Sequence, residues 1–240
     1  MEKRRSQRTK RIASTRSSGA RGPVPSEARF YADLIQAITD QRLRPGTRLN
    51  EVHLAKSYGL ARPRVRHVLN RLAADSIVEF KLNLGAFIRR PAPQEALDVF
   101  ETRRFLEAGV VQSIASQRSS TDIARLRKFV VQERKAYRAP RPGVHKLSSD
   151  FHILLAEVGG NRVVTDLLTP LIHRCCLIQS VYMTPAGPPC LVHEHEELVE
   201  QLAKGNAREA LRLHNYHFDH LESSLLLEEP PDTITDRMFA

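Results

Sequence analysis

The stretch ARPRVRHVLNRLAA, residues 61–74, sets Val65, Val68, Leu69 and Leu72 at the i, i+3, i+4, i+7 spacing of one helical face. Arg62, Arg64, Arg66, His67, Asn70 and Arg71 fill the other faces. A helix that is apolar beneath and guanidinium-rich above can rest on a small core while its outer side enters the major groove of DNA. There an Arg can reach a guanine edge through two hydrogen bonds, and Arg or Asn can hold phosphate or adenine. Taken alone, the same composition equally describes a solvated basic helix. The flanking sequence decides between the two.

Upstream, Ser26 can cap a helix over 27–42 with Tyr31, Leu34, Ile35 and Ile38 as its inward stripe, and Arg44-Pro45-Gly46 ends it. Asn50 can cap a short helix over Glu51–Tyr58 that turns Leu54, Ala55 and Tyr58 inward, and Gly59-Leu60 makes a tight turn. Downstream, 77–82 and 86–90 read as two short strands about Asn83-Leu84-Gly85. Helix, short helix, turn, helix and hairpin is the order of a winged helix-turn-helix, with 61–74 as the reader and the hairpin tip against the DNA backbone or minor groove. The candidate DNA contacts are therefore Arg62, Arg64, Arg66, His67, Asn70 and Gly85.

Charge agrees with this division. Residues 1–90 hold 20 Lys and Arg against 7 Asp and Glu, a net of +13, whereas residues 91–240 hold 17 against 20, a net of −3. The basic excess lies at one end, which suggests a polyanion-binding module joined to a neutral one. Residues 1–25 are rich in Arg, Ser, Gly and Pro and are expected to be a disordered basic tail, and 229–240 a flexible one. The three cysteines, Cys175, Cys176 and Cys190, show no CxxC spacing and read as reduced packing residues. No run approaches the length of a membrane span and the basic N-terminus leads into no apolar stretch, so a cytoplasmic protein without a membrane partner is expected.

Pro91-Ala92-Pro93 separates the winged unit, 26–91, from a second domain over 94–228. Helical spacing runs through that domain at 94–117, 121–138, 143–158, 161–183, 190–204 and 206–227, with Gly159-Gly160, Pro185–Pro189 and Gly205-Asn206 as breaks. The expected fold is mainly α: an N-terminal winged helix-turn-helix followed by an all-α bundle of six or seven helices.

Polar residues on apolar rows mark the bundle's chemistry. Arg103 shares a stripe with Val99, Leu106 and Val110; His152 follows Phe151 one turn before Leu155 and Ala156; His195 lies in the row Leu191, Leu198, Leu202; His217 lies in the row Ala210, Leu213, Leu221. One such histidine is more often a hydrogen-bonded core residue than a ligand. Three on three helices of one bundle suit a divalent metal such as Zn²⁺ with a position left open, and an Arg beside them suits a carboxylate. His193, His214 and His220 fall off the inward rows, His145 and His173 lack a partner pattern, Glu101 is placed to pair with Arg103 or Arg104, and Asn161 reads as a helix cap.

The run LRPGTRLNEVHLAKSYGLARPRVRHVLNRLAADSIVEF…LGAFIRRP resembles the DNA-binding domain of the GntR family of bacterial transcription regulators over residues 28–91. PG-x-x-L, L-A, the G-L turn, R-x-x-V-R and G-A-F fall in register. The family usually begins its reader Ser-Arg-Thr-Pro where this chain has Ala61-Arg62-Pro63-Arg64, and usually has Glu and Gly where it has His67 and Ser76. Residues 95–228 resemble the FCD-type ligand domain of the FadR-like branch through DVFETRRFLE, DFHILLAEVGGN, HEHEEL and A-x-x-LHNYHF. The resemblance implies a metal held through Asp-x-x-x-His, His and His. Those positions are Ser148, His152, His195 and His217, so the histidines match and the carboxylate does not; Asp150 lies on nearly the opposite helix face from His152.

Together these readings imply a homodimeric transcription regulator, most often a repressor in this family, that binds a double-stranded operator and a small anionic effector held by Arg103. Two alternatives are a metal-dependent hydrolase built on the three histidines and a non-specific nucleic-acid coater. Against the first, no well-placed acid or base carboxylate, nucleophile motif or phosphate loop is read; against the second, a coater has little use for a neutral bundle with a polar interior.

Overall fold

The computed structural model describes residues 26–117, 119–138, 144–183 and 192–227. The expected tails at 1–25 and 229–240, the Pro185–Pro189 break, Cys190 and Leu191 lie outside them.

Helix α1, Glu27–Thr39, starts where the Ser26 hydroxyl accepts the Arg29 N–H at 3.1 Å. It ends three residues earlier than its spacing suggests, because Gln41 turns to φ 56°. Its core residues are Phe30, Leu34, Ile35, Ala37 and Ile38. Tyr31, expected in that stripe, is only part-buried, since its hydroxyl donates to Asp75 at 2.7 Å. Helix α2, Glu51–Tyr58, is capped by Asn50, whose side-chain oxygen accepts from the Val52 and His53 N–H groups, each at 3.0 Å. Gly59 closes it at φ 61°. Helix α3, Arg62–Ala74, buries Val65, Val68, Leu69 and Leu72 completely, each at 0% exposure, as the spacing requires. Its first turn has no side-chain cap, the direct consequence of Ala61 in place of a hydroxyl residue.

Strands β2, Val78–Lys81, and β3, Gly85–Ile88, form the expected hairpin, with Lys81 opposite Gly85. Asn83 at φ 59° and Gly85 at φ 95° make its tip, and Ser76 at φ 58° precedes it in the left-handed region that favours glycine. A two-residue strand β1, Arg48–Leu49, joins β3 on the other edge and completes the order β1-β3-β2. Two residues are too few for alternation to show in sequence.

Among the described residues six helices follow: α4 Pro93–Gln117, α5 Ser120–Arg138, α6 Val144–Val158, α7 Arg162–Tyr182, α8 Val192–Lys204 and α9 Ala207–Ser223. Helix α4 packs on α7 and α9, and α5 on α6 and α8. Asn161 caps α7 as expected, accepting from Val163 at 3.1 Å. The two units share packing through α7, because Leu177 belongs to the winged unit's core. The connecting segment is fixed there too: the Tyr182 hydroxyl donates to the Pro91 carbonyl at 2.8 Å, and Glu95 accepts from Arg89 and Arg174, both at 2.6 Å.

Candidate metal centre and DNA-reading face

His152 from α6, His195 from α8 and His217 from α9 meet in the bundle interior, with exposures of 3%, 1% and 4%. Their ring centroids are 5.0, 5.2 and 4.8 Å apart pairwise, and one ligand atom from each lies within 4.8 Å of the others. Small ring rotations therefore bring all three to one ion, given Zn–N bonds of about 2.0–2.1 Å. Phe151 stacks on His195 at 4.0 Å between centroids and closes one wall.

The far nitrogen of each ring is taken by a carboxylate. His152 Nδ1 lies 2.8 Å from Glu107, His195 Nδ1 3.0 Å from Glu133, and His217 Nδ1 2.7 Å from Glu194. This arrangement fixes ring orientation and leaves Nε2 as the ligand atom. His217 Nε2 is buried and has no hydrogen-bond partner, a cost that an ion would remove. Burial drives two of the imidazoles toward the neutral form a metal needs: His217 is lowered to about 4, and His152, also repelled by Arg103, falls well below its ordinary value. For Glu107, burial favours protonation, but Arg103 and His152 outweigh it and hold the carboxyl well below its usual range. Three carboxyl groups thus surround the histidines against one buried guanidinium, a balance that suits a divalent cation. The residues fit the group.

The sequence reading named no acid or base carboxylate for catalysis and did not single out Glu107, Glu133 or Glu194, which the structure places beside the histidines. Glu107 stands one turn beyond Arg103, Glu133 continues the buried row Ile123, Leu126, Val130 of α5, and Glu194 precedes His195. Each is tied to an imidazole, which makes it a support for the rings. Among the described residues no carboxylate or thiol joins the trio, and Ser148 is half-buried on α6. Asp150 pairs with Lys146, away from His152.

Arg103 is buried, as its stripe predicts, but its partner is Glu107 at 2.5 Å. Glu101 is exposed, and Arg104 goes to Asp219 and Glu222 at 2.7 and 2.9 Å. His214, placed off the inward row by the sequence reading, is 1% exposed. His220 binds Glu194 at 2.6 Å, and His173 finds Tyr31. Cys175 and Cys176 are free, buried thiols; burial pushes Cys175 up to about 11, consistent with packing residues.

On the winged unit, Arg62, Arg64, Arg66, His67 and Asn70 are all exposed on α3. Arg66 lies 3.6 Å from Glu51 of α2 and 5.9 Å from the Phe80 ring centroid of β2, so it is placed between reader and wing. Arg64 and His67 both approach Glu27, at 3.8 and 3.9 Å. Arg71 turns the other way, onto the Tyr31 ring at 5.1 Å. A groove of about 330 Å³ lined by Arg48, Arg62, Arg66, Asn83 and Gly85 runs between reader and wing.

The FCD domain profile matches residues 98–220, and that of bacterial regulatory proteins of the gntR family matches residues 27–88. This chain belongs to the GntR family. It is similar to the HTH-type transcriptional regulator YdhC of Bacillus subtilis, with 27% identity over 204 residues, 82% of this chain and 90% of that protein. The Nta operon transcriptional regulator of Aminobacter aminovorans is 31% identical over 131 residues, 55% of this chain and 62% of that one. Among solved structures, a GntR transcriptional regulator from Rhodococcus sp. RHA1 superposes with a TM-score of 0.71 at 23% identity, covering 85% of this chain and 99% of its own. At that identity the superposition speaks for the fold. The chain is a transcription regulator of the GntR/FCD type, mainly helical with a small three-stranded wing sheet. Among the described residues no helix is long and apolar enough to cross a membrane.

Proposed function

We propose that this GntR-family protein binds an operator through α3 and the wing, and that a small anionic metabolite held at a divalent metal in the bundle controls that binding. The convergence of His152, His195 and His217, each backed by a carboxylate, carries the reading. Zn²⁺ or a similar ion suits three neutral imidazoles. When bound, the ion supplies a Lewis-acidic position for an anionic oxygen. Arg103, whose Nη2 is buried without a hydrogen-bond partner, faces the same interior and suits a carboxylate.

We take 26–91 as the DNA-binding domain and 94–228 as the effector domain, with Arg62, Arg64, Arg66, His67, Asn70 and Gly85 as the DNA contacts. One reader helix covers only a few base pairs, so a homodimer on an inverted repeat is the natural assembly. Exposed Phe105, Val163 and Leu167 provide apolar surface on the bundle for it. Since α7 packs into both units, an effector can bias the placement of the DNA-binding domains to the extent that it prefers one placement.

Selection of bound duplexes from a random pool tests the DNA half. Enrichment of one inverted repeat by the native chain, lost with Arg66→Ala, supports the reading. Retention of random DNA without enrichment contradicts it.

A further inference from the structure

The turn that ends α1, the end of β3 and the last turn of α7 meet around a cleft of about 250 Å³. Gln41, Leu43, Arg44 and Pro45 line it from the winged unit, Arg90 from the segment after β3, and Ser180 and Val181 from the bundle. None of the three histidines borders it, and among the described residues no carboxylate does. Sites for drug-sized ligands usually span about 300–1,000 Å³, so this cleft suits a smaller molecule.

Its two guanidiniums single it out. The arginines around them are paired: Arg42 with Asp40 at 3.4 Å, and Arg89 and Arg174 with Glu95, both at 2.6 Å. Among the described residues Arg44 and Arg90 have no ion pair, and both stand exposed. Exposure explains one such residue, since water solvates a lone guanidinium at little cost. Two that line one cleft, on backbone held in place, make a preorganised anion site. The Thr47 N–H donates to the Arg44 carbonyl at 3.0 Å, and the Gly46 N–H to the Ile88 carbonyl at 2.8 Å. The Tyr182 hydroxyl donates to the Pro91 carbonyl at 2.8 Å. The Arg44 turn and Arg90 are thus anchored at the same end of β3.

The neutral groups narrow the ligand. Gln41 holds φ 56°, the left-handed region where a helix end ordinarily places glycine or asparagine. Glycine would serve the turn better; glutamine adds to the cleft wall an amide that both donates and accepts. The Ser180 hydroxyl donates to the Leu177 carbonyl at 2.7 Å and keeps lone pairs that accept from a ligand hydroxyl. A carboxylate is satisfied by one guanidinium. A phosphomonoester carries about −1.5 to −2 charge at pH 7 on three terminal oxygens, enough for both.

We infer that the cleft between the winged unit and the bundle binds a small hydroxylated phosphomonoester, its phosphoryl group on Arg44 and Arg90 and its hydroxyls toward Gln41 and Ser180. A ligand that touches both units favours the placement of the DNA-binding domain in which the cleft is formed. That effect on DNA rests on the operator binding proposed above; the site does not.

Calorimetry of the full-length protein with glycerol 3-phosphate, inorganic phosphate and glycerol tests it. Glycerol 3-phosphate binds saturably, inorganic phosphate more weakly, and glycerol not at all. Arg44→Gln with Arg90→Gln weakens glycerol 3-phosphate by about ten-fold or more, with an unchanged urea midpoint because both side chains are exposed. Ser180→Ala weakens glycerol 3-phosphate and leaves inorganic phosphate as it was. Affinity is the same in chelator-stripped and Zn²⁺-loaded protein, which separates the cleft from the histidine centre. Binding that survives in the double variant, that appears only with Zn²⁺, or that inorganic phosphate matches overturns the inference. So does absence of glycerol 3-phosphate binding while the double variant lowers the salt slope of operator binding by about two, the mark of arginines that hold DNA phosphate. Equal operator affinity with and without bound glycerol 3-phosphate overturns the coupling between the units. A chain that binds glycerol 3-phosphate but no operator contradicts the function proposed above and leaves the site in place.

Discussion

The Tyr31 hydroxyl of α1 lies 3.2 Å from His173 Nδ1 of α7, and so ties the winged unit to the bundle through one side-chain contact. The same hydroxyl donates to Asp75 at the end of α3 at 2.7 Å, and Arg71 covers its ring. One tyrosine therefore joins the first helix, the reader and the bundle. Tyr31→Phe leaves Asp75 and His173 without this partner at similar volume, and is expected to cost about 1–2 kcal/mol of stability, measured by urea denaturation.

His173 also gives the junction a pH dependence. Burial, with Lys146 adding to it, lowers its pKa from 6.5 to about 4. Between these values the unfolded chain binds the proton and the folded one does not, so stability rises with pH over this window. It is fully present above pH 6.5 and falls away as pH drops toward 4, by at most about 3 kcal/mol. His173→Asn should lessen the slope of the stability profile in this window without abolishing it, because His152 and His217 are lowered as well; an unchanged slope would remove His173 as one of its sources.

The winged unit was legible because its signals are local. Asn50, Gly59 and the four apolar residues of α3 state caps, turn and face within a few positions. The histidine trio was legible because each histidine interrupts an apolar row. Its carboxylate supports were harder to read, since Glu107 and Glu194 serve helices other than their own and nothing in local spacing pairs them. Glu133 did leave a mark, a charge on the inward row of α5 after Val130. His214 escaped because a wide buried face admits positions beyond the single strict row.

Glu133 is expected to act on the metal through His195. Glu133→Gln preserves shape and hydrogen bonding but removes the carboxylate that raises ring basicity. Metal affinity should fall about 10–100-fold, read by competition with a chromophoric chelator at constant pH. No change would reduce Glu133 to a packing role.

Arg66, set between Glu51 and Phe80, is proposed above as a DNA contact. Arg66→Ala should weaken the selected operator by about 1–3 kcal/mol and relax preference at one or two base pairs. Arg62→Ala, if Arg62 holds phosphate, weakens all duplexes alike and lowers the salt slope by about one. Fluorescence anisotropy across a salt series separates the two patterns.

The most direct measurement is the metal content of protein purified without chelator, set against that of the variant carrying His152→Ala, His195→Ala and His217→Ala. The account predicts about one divalent ion per chain in the native protein and none in the triple variant. The same content in both, or no metal in the native protein even after dialysis against Zn²⁺, would contradict it.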